Sequence, residues 1–442
     1  MNLVQLTPGA GGTFCGNCLR DNALVTELRR QGHEALMVPL YLPLKLDETD
    51  QSAGVPIFYS GINVYLEQQL PIFRRAPRWL HRLLQSPVLL RLAAGRAAKT
   101  RPTDVGALTV SMLRGEAGNQ ARELEDLVTW LQEHVKPDVI CLSNALLIGM
   151  ARRLKAATGA RLACMLQGED CFLDGLAEPF RTQAWQELGL RLREADLLMA
   201  PSRYFAELMA GRLGLPAERI SVVPNGINLA GYPAATGQAR PLPEPPVLGY
   251  FARMSREKGL DMLVDAFLLL KARGRVPGLK LRVGGGCGPT DEPVVQEQLA
   301  KLRHAGVLAD AEFLRDLSRE EKVRFLESLT VFSVPARYGE AFGLYLVESL
   351  AAGVPVVQPR TAAFPELVAA SGAGVLCEHE NPAALADAIE ALVLDPARLA
   401  SLSAAAVRAA REQFSVGAMA RQTLALLGEL PGSPRTASGG ER

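Results

Sequence analysis

The chain has 442 residues, of which 48% are hydrophobic and 21% are charged, and its formal net charge is +1 at pH 7. This composition is that of a folded globular chain, and the length predicts two or three domains. A net charge so close to zero gives no reason to expect nucleic acid or an acidic partner. Seven scattered cysteines, an odd number, fit reduced thiols in a cytoplasmic protein better than a disulfide framework.

The first half of the chain alternates apolar runs with helical patterns. Residues 1–7 have no basic segment and no long apolar core, so they predict a first strand and not a signal peptide. No apolar run reaches the ~18 residues of a membrane-spanning helix. Strands are predicted at 2–7, 35–40, 139–142, 162–166, 197–200 and 220–223. Strands that alternate with helices indicate a parallel sheet with helices on both faces.

A glycine-rich turn that contains Gly11 and Gly12 follows the first strand. Such a turn lets the backbone approach a phosphate or a sugar, but it lacks the G-x-G-x-x-G spacing and is equally typical of a tight surface turn. Cys15 and Cys18 come next as a C-x-x-C pair. Structural thiols, a redox pair and half of a metal site are three interpretations of this pair, which has no second partner pair at metal spacing.

The stretch 71–101 is basic and rich in leucine, and no acidic residue occurs between 68 and 103. A basic amphipathic helix at this place would lie on an anionic membrane surface or hold an anionic acceptor. The alternative is an ordinary packing helix whose arginines face water. The first interpretation predicts peripheral contact with the inner face of the membrane.

Two loops of the first half carry polar side chains after a predicted strand. Gln167 to Asp170 follows the run 162–166, at the edge where open α/β sheets bind ligands. Glu169 or Asp170 would orient hydroxyls or act as a base, and either would equally cap the next helix. Asn225 lies in a Pro-Asn-Gly segment, which is first of all a turn signal.

The proline-rich residues 232–246 predict a linker between a first lobe at 1–231 and a second at 247–410. A helix over 411–430 follows, with the option of returning to the first lobe, and 431–442 predict a disordered tail. Strands of the second lobe are expected at 247–251, 279–283, 311–314, 331–334, 354–357 and 374–377. The second lobe is therefore another open α/β sheet.

Charged residues of the second lobe fall in two loops that follow strands. Arg253 and Lys258 lie after its first strand, where two cations would neutralise a diphosphate, although a charged surface turn has the same appearance. Glu340 and Glu348 lie in the segment 335–355, on either side of a predicted helix start. A helix start collects free N–H groups and favours an anion.

The order of Arg253 and Lys258, followed by two glutamates eight positions apart around Phe342-Gly343-Leu344, resembles a retaining glycosyltransferase of the GT-B fold, glycosyltransferase family 4 (group 1). The resemblance covers nearly the whole chain. It implies an α/β fold with two Rossmann-like, doubly wound parallel-sheet lobes that face each other across a cleft.

The resemblance also implies a hexosyltransferase-type enzyme (EC 2.4). Such an enzyme moves a sugar from a nucleoside-diphosphate sugar to an acceptor with retention of configuration. Glu348 would bind the ribose and Glu340 the donor sugar, and the two cations would hold the diphosphate. The implied donor-binding residues are Gly11, Gly12, Glu340, Ala341, Phe342, Gly343, Leu344, Glu348 and Asn225. The implied catalytic residues are Glu340, Arg253, Lys258 and Asp170.

The resemblance implies that no metal ion or other cofactor is required, since the cations and the helix start stabilise the leaving diphosphate. One departure concerns a histidine that many family members carry after a first-lobe strand. Gln167 stands at that place and cannot take a proton, which leaves Glu169 or Asp170 as the base. The alternatives are an epimerase or hydrolase of sugar nucleotides on the same fold, or a scaffold without catalysis. The sequence does not identify the acceptor, whether a carbohydrate, a lipid-linked sugar or a small molecule.

Overall fold

The computed structural model describes residues 1–9, 15–52, 54–59, 64, 68, 105–234 and 240–430. The chain divides into two compact units. The first comprises residues 1–223 together with the chain from Met419 onward, and the second comprises Pro224–Ala418. The stretch 71–101, the tail 431–442 and the linker residues 235–239 lie outside the described residues.

A six-stranded parallel sheet forms the centre of the first unit, in the order β2-β1-β3-β4-β5-β6. The strands are β1 (Asn2–Thr7), β2 (Glu34–Pro39), β3 (Val139–Leu142), β4 (Arg161–Met165), β5 (Leu197–Ala200) and β6 (Ile220–Val222). Every residue of β3 and β5 is buried. Burial on both faces explains why these strands read as continuous apolar runs in the sequence.

Helices cover the first sheet and begin and end at identifiable residues. They are Gly16–Arg30, Gly106–Leu113, Ala121–His134, Ala151–Thr158, Glu169–Asp174, Phe180–Leu192 and Arg203–Leu213, with short 3₁₀ helices at Gly115–Ala117, Ala145–Met150 and Ala217–Arg219. The Ser202 hydroxyl accepts a hydrogen bond from the N–H of Phe205 and so caps the last of the α-helices. Gly214, in the left-handed conformation, ends that helix.

The second unit has its own six-stranded parallel sheet, in the order β12-β11-β10-β7-β8-β9. Its strands are β7 (Val247–Phe251), β8 (Lys280–Gly285), β9 (Ala311–Arg315), β10 (Val331–Phe332), β11 (Val356–Pro359) and β12 (Gly374–Cys377). The α/β class with two Rossmann-like parallel-sheet units is therefore confirmed.

The helices after β7 are Leu260–Arg273, Glu292–His304, Arg319–Glu327, Leu344–Ala351, Phe364–Ser371, Pro382–Val393, Pro396–Glu412 and Val416–Glu429, with a 3₁₀ helix at Leu308–Asp310. A capping box between Ser318 and Glu321 fixes the start of the helix Arg319–Glu327. The segment 411–430 contains two helices and not one, since the first ends at Glu412 and the second begins at Val416. None of the described helices is long and apolar enough to span a membrane.

Each sheet has a point at which the chain reverses its direction of travel across the strands. The second sheet grows from β7 through β8 to β9 and then resumes at β10 on the other side of β7. The first sheet grows from β1 to β2 and resumes at β3 on the other side of β1. Loops that leave two such strands diverge and open a crevice at their carboxyl ends, which is where open α/β sheets bind ligands.

Candidate active site

The loops after β7 and β10 lie against each other at the crevice of the second sheet. Gly259 has a φ of +73°, and a Cβ at this position would lie 2.0 Å from the carbonyl oxygen of Pro335. The N–H of Arg337 donates to the carbonyl of Glu257 over 2.9 Å. Only glycine permits this approach, so the predicted cation loop and the predicted glutamate loop form one surface.

Lys258 and Glu340 meet on this surface. The Nζ of Lys258 lies 2.5 Å from Oε2 of Glu340. The same oxygen accepts the hydroxyl of Tyr345 over 2.8 Å and that of Tyr338 over 3.3 Å. Within the described part of the chain, Oε1 of Glu340 receives no hydrogen bond. One oxygen is therefore held by three donors, while the other remains able to accept a hydroxyl.

Two tyrosine rings flank the ammonium group of Lys258. Its Nζ lies 4.8 Å from the ring centroid of Tyr338 and 5.1 Å from that of Tyr345, which is cation–π distance. The side chains of Lys258 and Glu340 are 18% and 14% exposed. Burial, together with the nearby Glu340 carboxylate, raises the pKa of Tyr345 well above its usual value, so its hydroxyl stays a donor. The pair is thus partly shielded from water yet open on one side.

The helix Leu344–Ala351 begins directly beside this pair. Gly343, at its N-cap, has a φ of +96°, a backbone conformation that residues with a side chain rarely adopt. The N-cap makes no side-chain capping bond, and no acidic residue lies in the first turn. The first N–H groups of a helix have no acceptor within it, so this end attracts an anion. Phe342 is 4% exposed and packs edge-on against Phe414, which fixes the approach to the helix.

Glu348 lies farther along the same helix and forms an ion pair. The Nζ of Lys322 lies 2.8 Å from Oε1 of Glu348, and the two side chains are 8% and 17% exposed. In the described structure, Oε2 of Glu348 makes no hydrogen bond. Lys322 therefore fixes the carboxylate through one oxygen and leaves the other able to accept a hydroxyl. The sequence did not indicate Lys322 as a site residue.

Arg253 lies on the loop after β7 but binds a different acid. Its guanidinium makes two hydrogen bonds of 2.8 Å to the two carboxylate oxygens of Asp291. This bidentate bond raises the pKa of Arg253 above its usual value. Asp291 is buried and also accepts the N–H of Gly288 over 3.1 Å. The Arg253 side chain is 59% exposed, so its outer face remains open to an anion.

In the first unit, Glu169 and Asp170 have different surroundings. Glu169 is buried, and its two oxygens accept the N–H of Ala145 over 2.7 Å and that of Gln167 over 2.8 Å. Burial raises the pKa of both acids. Glu169 therefore ties the loop after β3 to the loop after β4, which fits a positioning role. Asp170 is 7% exposed, and its Oδ1 has no hydrogen-bond partner within the described chain.

The remaining predicted residues belong to the second unit or lie outside the described residues. Asn225 is 5% exposed and belongs to the second unit, as do Glu340 and Glu348. Its neighbour Gly226 packs so closely that a Cβ there would lie 2.4 Å from the carbonyl oxygen of Ser415. Gly11 and Gly12 lie outside the described residues. The structure thus brings Glu340, Lys258 and the Gly343 helix start together.

The sequence did not predict several side chains of the site. Asp291 precedes the Glu292–His304 helix, and its Thr-Asp-Glu-Pro context marks a helix start, although it gives no sign of an arginine partner. Tyr338 and Tyr345 stood inside the predicted segment, and their spacing around Glu340 was the available signal. Lys322 offered no such signal, because it pairs with a residue 26 positions away.

The comparisons with known proteins agree with this geometry. Residues 236–413 match the family model described as glycosyl transferases group 1, and residues 22–226 match that described as glycosyl transferase 4-like domain. D-inositol 3-phosphate glycosyltransferase 1 of Catenulispora acidiphila is 29% identical over 373 residues, which cover 79% of this chain and 86% of that protein.

Two further proteins illustrate the range of the likeness. The GDP-mannose-dependent alpha-(1-6)-phosphatidylinositol monomannoside mannosyltransferase of Mycolicibacterium smegmatis is 30% identical over 273 residues, which cover 59% of this chain and 67% of that protein. Crystal structures of Anabaena Alr3699/HepE with UDP and with UDP-glucose have TM-scores of 0.66 and 0.63 at 17% identity, and cover 97% of this chain and 100% of theirs.

Two parallel-sheet units with these strand orders, each with a crevice at the carboxyl ends of its strands, have the GT-B fold. The chain belongs to the group 1 glycosyltransferases, and it is a glycosyltransferase. Membership of the family does not define the donor, the acceptor or the stereochemistry, because these depend on side chains that differ between members of one fold.

Proposed function

We propose that the chain transfers a sugar from a nucleoside-diphosphate sugar to an acceptor hydroxyl with retention of configuration. The observation that carries this proposal is the Lys258–Glu340 pair, joined over 2.5 Å beside the start of the helix Leu344–Ala351. A cation, an anion-attracting helix end and a carboxylate with one free oxygen match a diphosphate bound to a polyhydroxylated ring.

Lys258 and the helix start serve the diphosphate in this proposal. Negative charge grows on the diphosphate as the bond to the sugar breaks, and a cation fixed beforehand stabilises that charge. The incoming diphosphate competes with Glu340 for the ammonium group of Lys258. Tyr338 and Tyr345 keep donating to Glu340 meanwhile, so its carboxylate does not lose its position. Arg253, held by Asp291, offers its exposed face to the same anion.

Glu340 and Glu348 serve the hydroxyls of the donor. Oε1 of Glu340 accepts a hydroxyl of the transferred sugar, and Oε2 of Glu348 accepts a ribose hydroxyl. Lys322 and the helix itself hold Glu348 in place, so this contact is already organised before the donor binds. We also assign the main-chain groups of Ala341 to Leu344 and the side chain of Asn225 to donor binding.

Asp170 is the group of the first unit that we propose for the acceptor hydroxyl. Its Oδ1 has no hydrogen-bond partner in the described chain, and burial raises its pKa, which makes it a better base than an exposed aspartate. Glu169 is less suited, because both of its oxygens already accept backbone N–H groups.

The proposed donor is defined by its diphosphate and sugar, with the base left to experiment. The Mycolicibacterium relative is named for GDP-mannose, and HepE was crystallised with UDP and UDP-glucose. These donors differ in the base and share the ribose, the diphosphate and a hexose. We propose transfer without a divalent ion, because Lys258, Arg253 and the helix start supply positive charge.

Contact with an anionic membrane surface stays a proposal from composition alone, since the basic stretch 71–101 lies outside the described residues. Co-sedimentation with vesicles of anionic and of neutral lipids tests it. Binding to the anionic vesicles that weakens with salt is expected, because exposed charges are screened. Equal recovery with both vesicles would remove the membrane from the proposal.

The deciding experiment measures binding of UDP-, GDP- and ADP-hexoses by calorimetry, followed by product analysis with a panel of acceptor sugars in the presence of a chelator. We expect one donor to bind in the micromolar range, and NMR of the product to show the anomeric configuration of the donor. Fast turnover of the donor without any acceptor would instead favour an epimerase or hydrolase. No binding of any sugar nucleotide would overturn the proposal.

A further inference from the structure

Cys15 and Cys18 lie at the start of the helix Gly16–Arg30, the first helix after β1. Cys15 is the N-cap residue, and Cys18 lies within the first turn. Residues three apart at a helix start share one face, which brings their side chains together. Both are free thiols in the structure, and neither has a role in the proposed transfer.

The two thiols touch each other but differ in access to solvent. Cys15 is partly exposed, whereas Cys18 is 1% exposed. The thiols are hydrogen-bonded to each other, and the Cys18 thiol also lies near the main chain of Gly9. The Cys15 thiol is therefore the more accessible of the two, and the buried Cys18 thiol is its hydrogen-bond partner. This is the arrangement of an attacking and a resolving cysteine.

Local interactions favour the thiolate at the exposed position. The hydrogen bond from the Cys18 thiol, helped by the N–H groups of Cys18 and Asn17, lowers the pKa of Cys15 to about 6. The pKa of Cys18 is raised far above its usual value by the same thiol contact and by burial. A thiolate at a helix start is the reactive form of cysteine.

The nearby charges are balanced and do not account for this asymmetry. Asp21 is the acidic group that faces both thiols, and its negative charge opposes the Cys15 thiolate. Its carboxylate is held by the guanidinium of Arg20 over 2.5 Å and by the hydroxyl of Thr7. Both Arg20 and Asp21 have side chains with no exposed surface. The Cys15 thiolate therefore depends on its hydrogen bonds and not on a neighbouring cation.

We propose that Cys15 and Cys18 form a redox-active dithiol that is oxidised by low-molecular-weight disulfides, with Cys15 as the attacking and Cys18 as the resolving residue. A zinc site requires four ligands, and among the described residues no group of three or more histidine, cysteine or acidic side chains could hold a metal.

The reaction balances in two exchange steps. The Cys15 thiolate attacks one sulfur of the disulfide RSSR, which forms a mixed disulfide at Cys15 and releases RS⁻. Cys18 then attacks the Cys15 sulfur, releases the second RS⁻ and passes its proton to the solution. The two cysteines lose two electrons in total, and RSSR gains them as two thiolates.

The test exposes the full-length chain to oxidised glutathione at pH 7, then blocks remaining thiols and maps the peptides by mass spectrometry. We expect a Cys15–Cys18 disulfide with at most a trace of glutathione on Cys15. In Cys18→Ser, which keeps a hydroxyl donor and lacks the second sulfur, the glutathione adduct of Cys15 should accumulate. A wild-type chain without the internal disulfide, or with as much adduct as the variant, overturns the proposal.

A second readout uses alkylation rates before any oxidation. Cys287 is the internal control, because it is also partly exposed but burial raises its pKa. At pH 7 we expect Cys15 to react about fivefold faster than Cys287 or more, with a midpoint near pH 6. Cys18→Ala should raise that midpoint, since the thiol donor is lost, while Cys18→Ser should leave it low. Equal rates for Cys15 and Cys287 would contradict the proposal, whatever the donor of the transferase proves to be.

Discussion

Glu340 in the second unit and Glu169 in the first both follow a strand at the carboxyl edge of a parallel sheet, yet their environments differ. Glu340 receives the side chains of Lys258, Tyr338 and Tyr345 on one oxygen and keeps the other open. Glu169 is 4% exposed and gives both oxygens to backbone N–H groups. Position at a strand end is thus insufficient to identify a binding carboxylate. A carboxylate that binds a ligand is recognised by an oxygen without a hydrogen bond and by side-chain rather than backbone donors on the other oxygen.

The largest effect should come from Lys258→Ala. Its ammonium is the cation beside the helix start, and removal of one preorganised charge at a leaving group costs about 100- to 1,000-fold in kcat. Lys271→Ala is the matched control, since Lys271 also has a carboxylate partner, Asp310, at 2.7 Å and an aromatic ring, Phe267, nearby. Steady-state kinetics should show near-normal turnover for the control. Equal losses in the two variants would remove Lys258 from the site.

Donor binding should weaken next in Glu348→Gln. The neutral amide accepts a ribose hydroxyl less strongly than the carboxylate, which costs about 1–1.5 kcal/mol, or roughly 5- to 10-fold in Kd. Calorimetry with the free nucleoside diphosphate measures it. The exchange Lys322→Glu with Glu348→Lys keeps an ion pair while removing the carboxylate from the helix. If this double variant bound the nucleotide normally, the Glu348 carboxylate would not be the ribose contact.

In the first unit, Glu169→Gln should reduce the stability of the fold. A glutamine has one acceptor oxygen, so its amide nitrogen would face the N–H of Ala145 or of Gln167. One unsatisfied buried donor costs about 1–3 kcal/mol in the free energy of unfolding. Glu187→Gln, at a half-exposed pair with Arg114, should change it by less than about 1 kcal/mol. Denaturant unfolding compares them, and equal stabilities would refute the loop-tying role of Glu169.

Tyr345→Phe should produce a smaller loss of activity. The change removes one hydroxyl from Oε2 of Glu340, while Lys258 and Tyr338 still hold that oxygen. A single hydrogen bond is worth about 1 kcal/mol, or roughly fivefold in kcat/KM. Kinetics with the best donor measure the change. A loss as large as that of Lys258→Ala would show that the hydroxyl takes part in the chemistry itself.

The smallest expected effect is on the way the free energy of unfolding changes with pH. Because burial raises the pKa of Asp170 in the folded chain, the folded state keeps a proton that the unfolded state has already released, from about pH 4 upward. The free energy of unfolding should therefore fall as the pH rises through this window. Asp170→Asn removes that contribution and should flatten the curve of stability against pH. A curve as steep as that of the wild-type chain would contradict a buried Asp170.

The sequence revealed the two parallel sheets because their strands are buried apolar runs between helical patterns. Ends of strands were less predictable. The run 331–334 yields only the two-residue strand β10, since the N–H of Ala336 turns back to the carbonyl of Val334. The segment 411–430 was expected as one helix and is divided between Glu412 and Val416. Local periodicity does not determine where tertiary hydrogen bonds interrupt an element.

The site was predictable where its residues are close in sequence and hidden where they are distant. Glu340, Gly343 and Glu348 belong to one strand–loop–helix segment, so their spacing carried the hypothesis. The partners of Glu348 and Arg253 lie 26 and 38 positions away. No local pattern pairs such residues, because the sheet order brings them together. The same holds for Glu169, whose backbone donors come from two loops.

A crystal structure of the chain with its tightest-binding nucleoside diphosphate would show whether Lys258 and Glu348 hold the donor. We expect a phosphate oxygen within hydrogen-bond distance of Lys258 Nζ, about 2.7–3.2 Å, and a ribose hydroxyl within the same distance of a Glu348 carboxylate oxygen. Glu340 should keep its bonds to Tyr338 and Tyr345 while Lys258 turns toward the phosphate. A nucleotide bound away from Lys258 and Glu348, with the Lys258–Glu340 pair unchanged, would contradict this expectation.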